Sequence, residues 1–147
     1  MKLKTLAVIL VVFGLLGFQA FGGMMNKDTK VLADKFLKSV PENMMYLMPV
    51  KSLINAVKQG ESNVVILDIR PPVHYNNGHI KGALHIPMPM IVEKMEMIPK
   101  DKKIAVVCAM DTNSAFVVSV LRMFGYNAWV VDGGVPGWVK MGMPLEK

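Results

Sequence analysis

Only one cysteine, Cys108, stands in the 147 residues, so no disulfide can close within the chain. Histidine is nearly as scarce. His74, His79 and His85 share no metal-ligand spacing with that cysteine, so the pattern offers no zinc site, and no motif calls for a cofactor. Lysine and arginine outnumber aspartate and glutamate by 17 to 11, yet no basic run is interleaved with aromatic residues. The excess therefore reads as solvated surface rather than a nucleic-acid face. Charge is absent altogether between Lys4 and Lys27, where Leu6 to Phe18 is apolar or glycine.

That uncharged stretch behind Lys2 and Lys4 reads as an export signal at 1–22, cleaved near Gly22 after the small residues of Ala20-Phe21-Gly22, or as a membrane anchor through residues 5–26. Either outcome places the remainder outside the cytoplasm, in the periplasm or cell envelope, with 15 basic and 11 acidic residues after Gly22. No cysteine near the signal could take a lipid. Residues 23–45 are expected to form an N-terminal helical extension, with Val31, Leu32, Phe36 and Leu37 on one face and Pro41 ending it.

From residue 46 onward, apolar runs alternate with helical spacing. Val64-Val65-Ile66-Leu67 is continuous and rich in β-branched residues, the pattern of a strand buried on both faces. Tyr46 to Met48, Ala83 to Ile86, Ile104 to Val107 and Ala128 to Val131 supply four more strands, and helices are expected from Ser52 to Gly60, near Val73 to Asn76, across Ile91 to Met97, from Ser114 to Phe124, and around Trp138. Such alternation predicts a single three-layer α/β domain at 46–147, a mostly parallel sheet of about five strands with helices on both faces. In an open parallel sheet the reactive crevice lies beyond the carboxyl ends of the strands, where Asp68, Cys108 and Asp132-Gly133-Gly134 all emerge.

Cys108 ends an apolar run, and the polar residues Asp111-Thr112-Asn113-Ser114 open the next helix. A thiol there faces free backbone N–H groups, which suits a nucleophile. A buried structural thiol fits the local pattern equally well, since free cysteine is among the most buried residue types. An exported thiol without a task, however, invites oxidation, which weights Cys108 toward function.

Several separated motifs resemble the rhodanese-like domain family: Asp68-Ile69-Arg70, Gly78-His79-Ile80-Lys81-Gly82-Ala83, Ile86-Pro87, Cys108 followed by Ser114, Gly125-Tyr126, Val131-Asp132-Gly133-Gly134 and Trp138. The resemblance runs from about Tyr46 to Lys147. It implies a sulfurtransferase that carries sulfane sulfur as a persulfide on Cys108, with Ala109, Met110, Asp111, Thr112, Asn113 and Ser114 as the loop around it and Asp68, Arg70 and His79 in support. The implied partners are a small sulfur donor and a thiol acceptor or a sulfur-carrying protein. His74 occupies a place where relatives often have glutamate, which leaves Arg70 in need of another partner, with Asp68 the nearest.

The loop departs from many active members because residues 109–114 contain no arginine or lysine. A small dianion such as thiosulfate loses charge-assisted hydrogen bonds there, so a persulfide or protein-bound sulfur fits better. The alternative is a catalytically weak binding or redox-sensing module. Phosphatase chemistry, known on the same fold, needs an arginine closing the loop, and Arg122 lies more than two turns into the helix. Paired methionines at 88 and 90, 95 and 97, and 141 and 143 raise Cu(I) binding against ordinary core filling. His79 reads as a ring bonded to backbone, His85 as a strand residue and Trp138 as core.

Overall fold

The computed structural model describes residues 27–42 and 46–147. The expected signal or anchor lies outside them, as do parts of the 23–45 extension. Residues 27–39 form helix α1, which belongs to a unit separate from the compact unit Val40–Lys147. Among the described residues no helix is long and apolar enough to cross a membrane.

The second unit is a five-stranded, wholly parallel sheet in the order β1-β5-β4-β2-β3, with β1 at Leu47–Pro49, β2 at Val64–Asp68, β3 at Leu84–His85, β4 at Lys103–Val107 and β5 at Asn127–Asp132. Helices α2 (Val50–Lys58), α3 (Pro72–Asn76), α4 (Asp111–Met123) and α5 (Gly134–Lys140) lie between or after the strands. The central strands are apolar at consecutive positions because both faces are covered. Side-chain alternation divides β4. Ala105 and Val107 join Leu53 and Ile54 of α2 and Val135 and Trp138 of α5 in one core cluster, while Ile104 and Val106 are buried on the opposite face, toward which α4 turns Val117, Val118 and Leu121. The three-layer expectation holds.

Strand ends shift by a residue or so from those read in the sequence, and three helical segments differ more. Helix α2 starts at Val50, directly behind Pro49, rather than at Ser52. No continuous helix covers Ile91 to Met97. The segment forms 3-10 turns at Met88–Met90 and Met95–Met97, bounded by prolines at 87, 89 and 99. Its apolar period survives, with Ile91, Met95 and Ile98 buried, whereas Met97 is exposed and so divides that methionine pair. Helix α4 starts at Asp111, not Ser114. Met110 holds the cap position, the Asn113 N–H bonds the Met110 carbonyl, and the acid at the first helical position suits the positive end of the helix. At its far end Gly125 takes φ +86°, the left-handed geometry expected after a helix.

Candidate active site

Parallel pairing sends every strand the same way, so Asp68, His85, Val107 and Asp132 end at one edge of the sheet. Asp68 is fully buried and Arg70 nearly so. Arg70 donates from Nε and Nη2 to the two carboxylate oxygens of Asp68 at 2.6 to 3.0 Å, and Nη2 also donates to the Gly78 carbonyl at 2.9 Å. A buried charge persists only when paired in this way. The pairing expected for Arg70 is therefore present, and the supporting residues Asp68 and Arg70 form a closed knot.

His79 stands beside this knot rather than beside the thiol. Its Nδ1 lies 3.2 Å from the Tyr75 carbonyl, and its ring stacks on Tyr75 at 3.9 Å, as the backbone-bonded reading anticipates. On the other face of Tyr75 stacks His85, at 4.0 Å, with Nε2 2.9 Å from the Arg70 carbonyl. Sequence reasoning gave His85 no role. The contact arises from the pairing of β3 with β2, so no local pattern marks it. The Tyr75 hydroxyl donates to the Ala83 carbonyl, and burial, followed by the negative charge of Asp68, raises its pKa above 10.0. Glu146 pairs backbone with His79 and closes this side of the edge.

Cys108 follows β4 directly and is 4% exposed. Its carbonyl accepts from the Val135 N–H at 3.0 Å, which ties it to the start of α5. Only glycine fits between them, because a Cβ on Gly134 would overlap the Cys108 carbonyl oxygen and the residue has φ +50°. Asp111 accepts from the Gly133 N–H at 3.1 Å, so its carboxylate clasps the β5–α5 turn.

Of the remaining loop residues, Asn113 brings its side-chain amide to 3.8 Å from the Cys108 Sγ. Ala109, Met110 and Thr112 are exposed. Ser114 is fully buried, and its hydroxyl has no hydrogen-bond partner among the described residues. Native interiors pair nearly all such groups with protein or ordered water, so this hydroxyl, in the first turn of the helix that follows Cys108, keeps a free donor. Arg122 takes no part. It donates to the Ala128 carbonyl and stacks at 3.8 Å over Tyr46, where burial lowers its pKa.

A hollow of about 460 Å³ adjoins the loop at Ala109, walled by Val135, Pro136 and Val139 and edged by Arg70, His74 and Lys140. Lys140 lies 32 residues beyond Cys108 and escaped the sequence reading, which looked for cations within the loop. Only the packing of α5 against the ends of β4 and β5 brings it near.

The rhodanese-like domain model of known protein families matches residues 50–141, more than half of the chain. The chain belongs to the rhodanese-like domain family. A protein named "Sulfurtransferase" from Allochromatium vinosum is 32% identical over 84 residues, covering 56% of this chain and 78% of its own. "Thiosulfate sulfurtransferase GlpE" of Haemophilus influenzae is 28% identical over 102 residues, 67% of this chain and 97% of that one. A rhodanese-related protein of Thermoplasma volcanium superposes with a TM-score of 0.62 at 31% identity, covering 67% of this chain and 95% of its own. These names support a rhodanese-type sulfurtransferase, and the parallel sheet of this rhodanese-like domain agrees with the shared fold.

Proposed function

We propose that Cys108 accepts sulfane sulfur from an organic persulfide or a protein-borne sulfur and passes it to a thiol. The thiolate attacks the outer sulfur of the donor, the donor S–S bond breaks, and the departing thiolate takes a proton from solvent, leaving Cys108 as a persulfide. An acceptor thiolate then attacks that outer sulfur and releases the Cys108 thiolate. No net oxidation occurs, since one sulfur–sulfur bond forms as another breaks.

The observation that carries this reading is the unpartnered Ser114 hydroxyl in the first turn of the helix that follows Cys108. Sulfuration extends the side chain by about 2 Å, and Ser114 together with Asn113 offers donors to the added atom. The N–H groups of Asp111 and Thr112, at the start of α4, add to the same field. Thiosulfate fits less well, because its charge lies within one bond of the transferred sulfur and residues 109–114 bring no cation there. The uncharged stretch between Lys4 and Lys27 supports export of the domain to the cell envelope as part of the same proposal.

Stopped-flow measurement of sulfur loading tests the donor. Glutathione persulfide is expected to load Cys108 faster than thiosulfate, and the reverse order contradicts the assignment.

A further inference from the structure

The hollow beside Ala109 has no acidic residue in its lining. Three basic side chains edge it, and they are not equivalent. Arg70 spends Nε and Nη2 on Asp68 and Gly78, while its Nη1 N–H pair bonds no described residue. Its charge is balanced by Asp68, at an ion-pair distance of 2.6 Å. Lys140, at the end of α5, and His74, on α3, are exposed and have no ion pair among the described residues. They are the basic groups left to meet an anion from solvent.

Size and position narrow the anion. A hollow of about 460 Å³ lies in the range that holds a small organic molecule, and it is far larger than an inorganic oxyanion needs. Val135, Pro136 and Val139 give it an apolar wall that a bare dianion does not use. The basic edge is displaced from the thiol. Cys108 meets the hollow through its chain neighbour Ala109 and through Val135, whose N–H holds the Cys108 carbonyl, and the sulfur itself is not in the lining. A ligand that spans the two carries its acid and its reacting sulfur at different ends.

From this the geometry points to Lys140, aided by His74 and the free Arg70 Nη1, as the residue that selects donors: a low-molecular-weight organic persulfide whose carboxylate rests at the basic edge while its sulfane sulfur reaches Cys108. The assignment rests on Cys108 being the sulfur acceptor. It explains how a loop without cations still handles an anionic donor, because the charge is read at the far end of the molecule. Lys140 holds the donor and does not touch the transferred sulfur.

The test compares loading by glutathione persulfide, which carries carboxylates, with loading by 2-hydroxyethyl persulfide, which carries none. In Lys140→Glu the ratio of the two rates is expected to fall about tenfold, and in Lys140→Gln by several fold, the size of a lost or reversed contact between opposite charges. Added salt should lower the same ratio for wild type and leave it nearly constant for Lys140→Gln. Reaction of Cys108 with iodoacetamide, an uncharged probe, reports whether the substitution has altered the thiol itself. A ratio unchanged in both variants overturns the role of Lys140 while leaving Cys108 as the acceptor. Failure of both donors to load wild-type protein overturns the acceptor reading, and the donor-selection reading falls with it.

Discussion

At the carboxyl edge of the sheet, the loop that follows β2 buries a complete set of hydrogen bonds, whereas the loop that follows β4 buries a hydroxyl that bonds nothing. In the first, Asp68 and Arg70 satisfy one another, Gly78 takes a further donor, and Tyr75 is clamped between two imidazoles. In the second, Ser114 is orphaned and Asn113 lies 3.8 Å from Sγ, a long contact. Both loops leave adjacent parallel strands at the same edge of the sheet. The first loop has its buried groups saturated and fixes the edge, leaving only the outward Arg70 Nη1 and the exposed His74 to face the hollow. An unsaturated loop keeps donors in reserve, and the rigid neighbour holds them in place.

The largest effect is expected where the saturated loop is broken. Arg70→Ala leaves Asp68 charged, buried and unpaired and should cost about 3–5 kcal/mol in chemical denaturation, whereas the double variant Asp68→Asn, Arg70→Met should recover part of it. A single variant as stable as wild type would remove the knot from the account. Next comes the junction of the two halves of the edge. Gly134→Ala forces a methyl group into the Cys108 carbonyl and should cost about 2–3 kcal/mol, read as a lowered thermal midpoint, with sulfur loading impaired as well.

Smaller effects separate the loops more finely. Tyr75→Phe removes the hydroxyl donated to Ala83 and should cost about 1 kcal/mol at neutral pH. Because the folded pKa of Tyr75 is raised, its contribution is present below pH 10.0 and is lost as pH climbs through the folded value. The alkaline arm of the stability profile should therefore be flatter in the variant, and equal slopes would contradict the direction of the shift. Ser114→Ala should move in the opposite sense to Tyr75→Phe. Deleting a hydroxyl without a partner removes a desolvation cost, and alanine favours the helix, so stability should hold or rise by up to about 1 kcal/mol. Loading of Cys108 should nevertheless slow by about tenfold, the value of one hydrogen bond to a charged sulfur. A variant that loses stability and keeps its loading rate would place Ser114 with the saturated loop.

How much of this could be read in the chain follows from the range of the signals. Continuous apolar runs mark β2, β4 and β5 and the strand-to-helix turn marks Cys108, because each signal is local, whereas the pairing of Arg70 with Asp68 follows from the resemblance, in which His74 stands where relatives often have glutamate. The apolar spacing starts helix α4 at Ser114, yet the helix extends three residues further, with Asp111 in its first turn. The same extension carries Ser114 inside and strips its hydroxyl of partners. His85 and Lys140 acquire their places only through the packing of β3 on β2 and of α5 beside the ends of β4 and β5, and no periodicity reports such contacts.

The most direct measurement is the intact mass of the full chain and of Cys108→Ser after exposure to glutathione persulfide, followed by addition of a reduced thiol. Wild type should gain one sulfur atom and lose it again to the thiol, while Cys108→Ser should gain none. A wild-type protein that takes up no sulfur, or a variant that takes up as much as wild type, would contradict the assignment of Cys108 as the sulfur carrier.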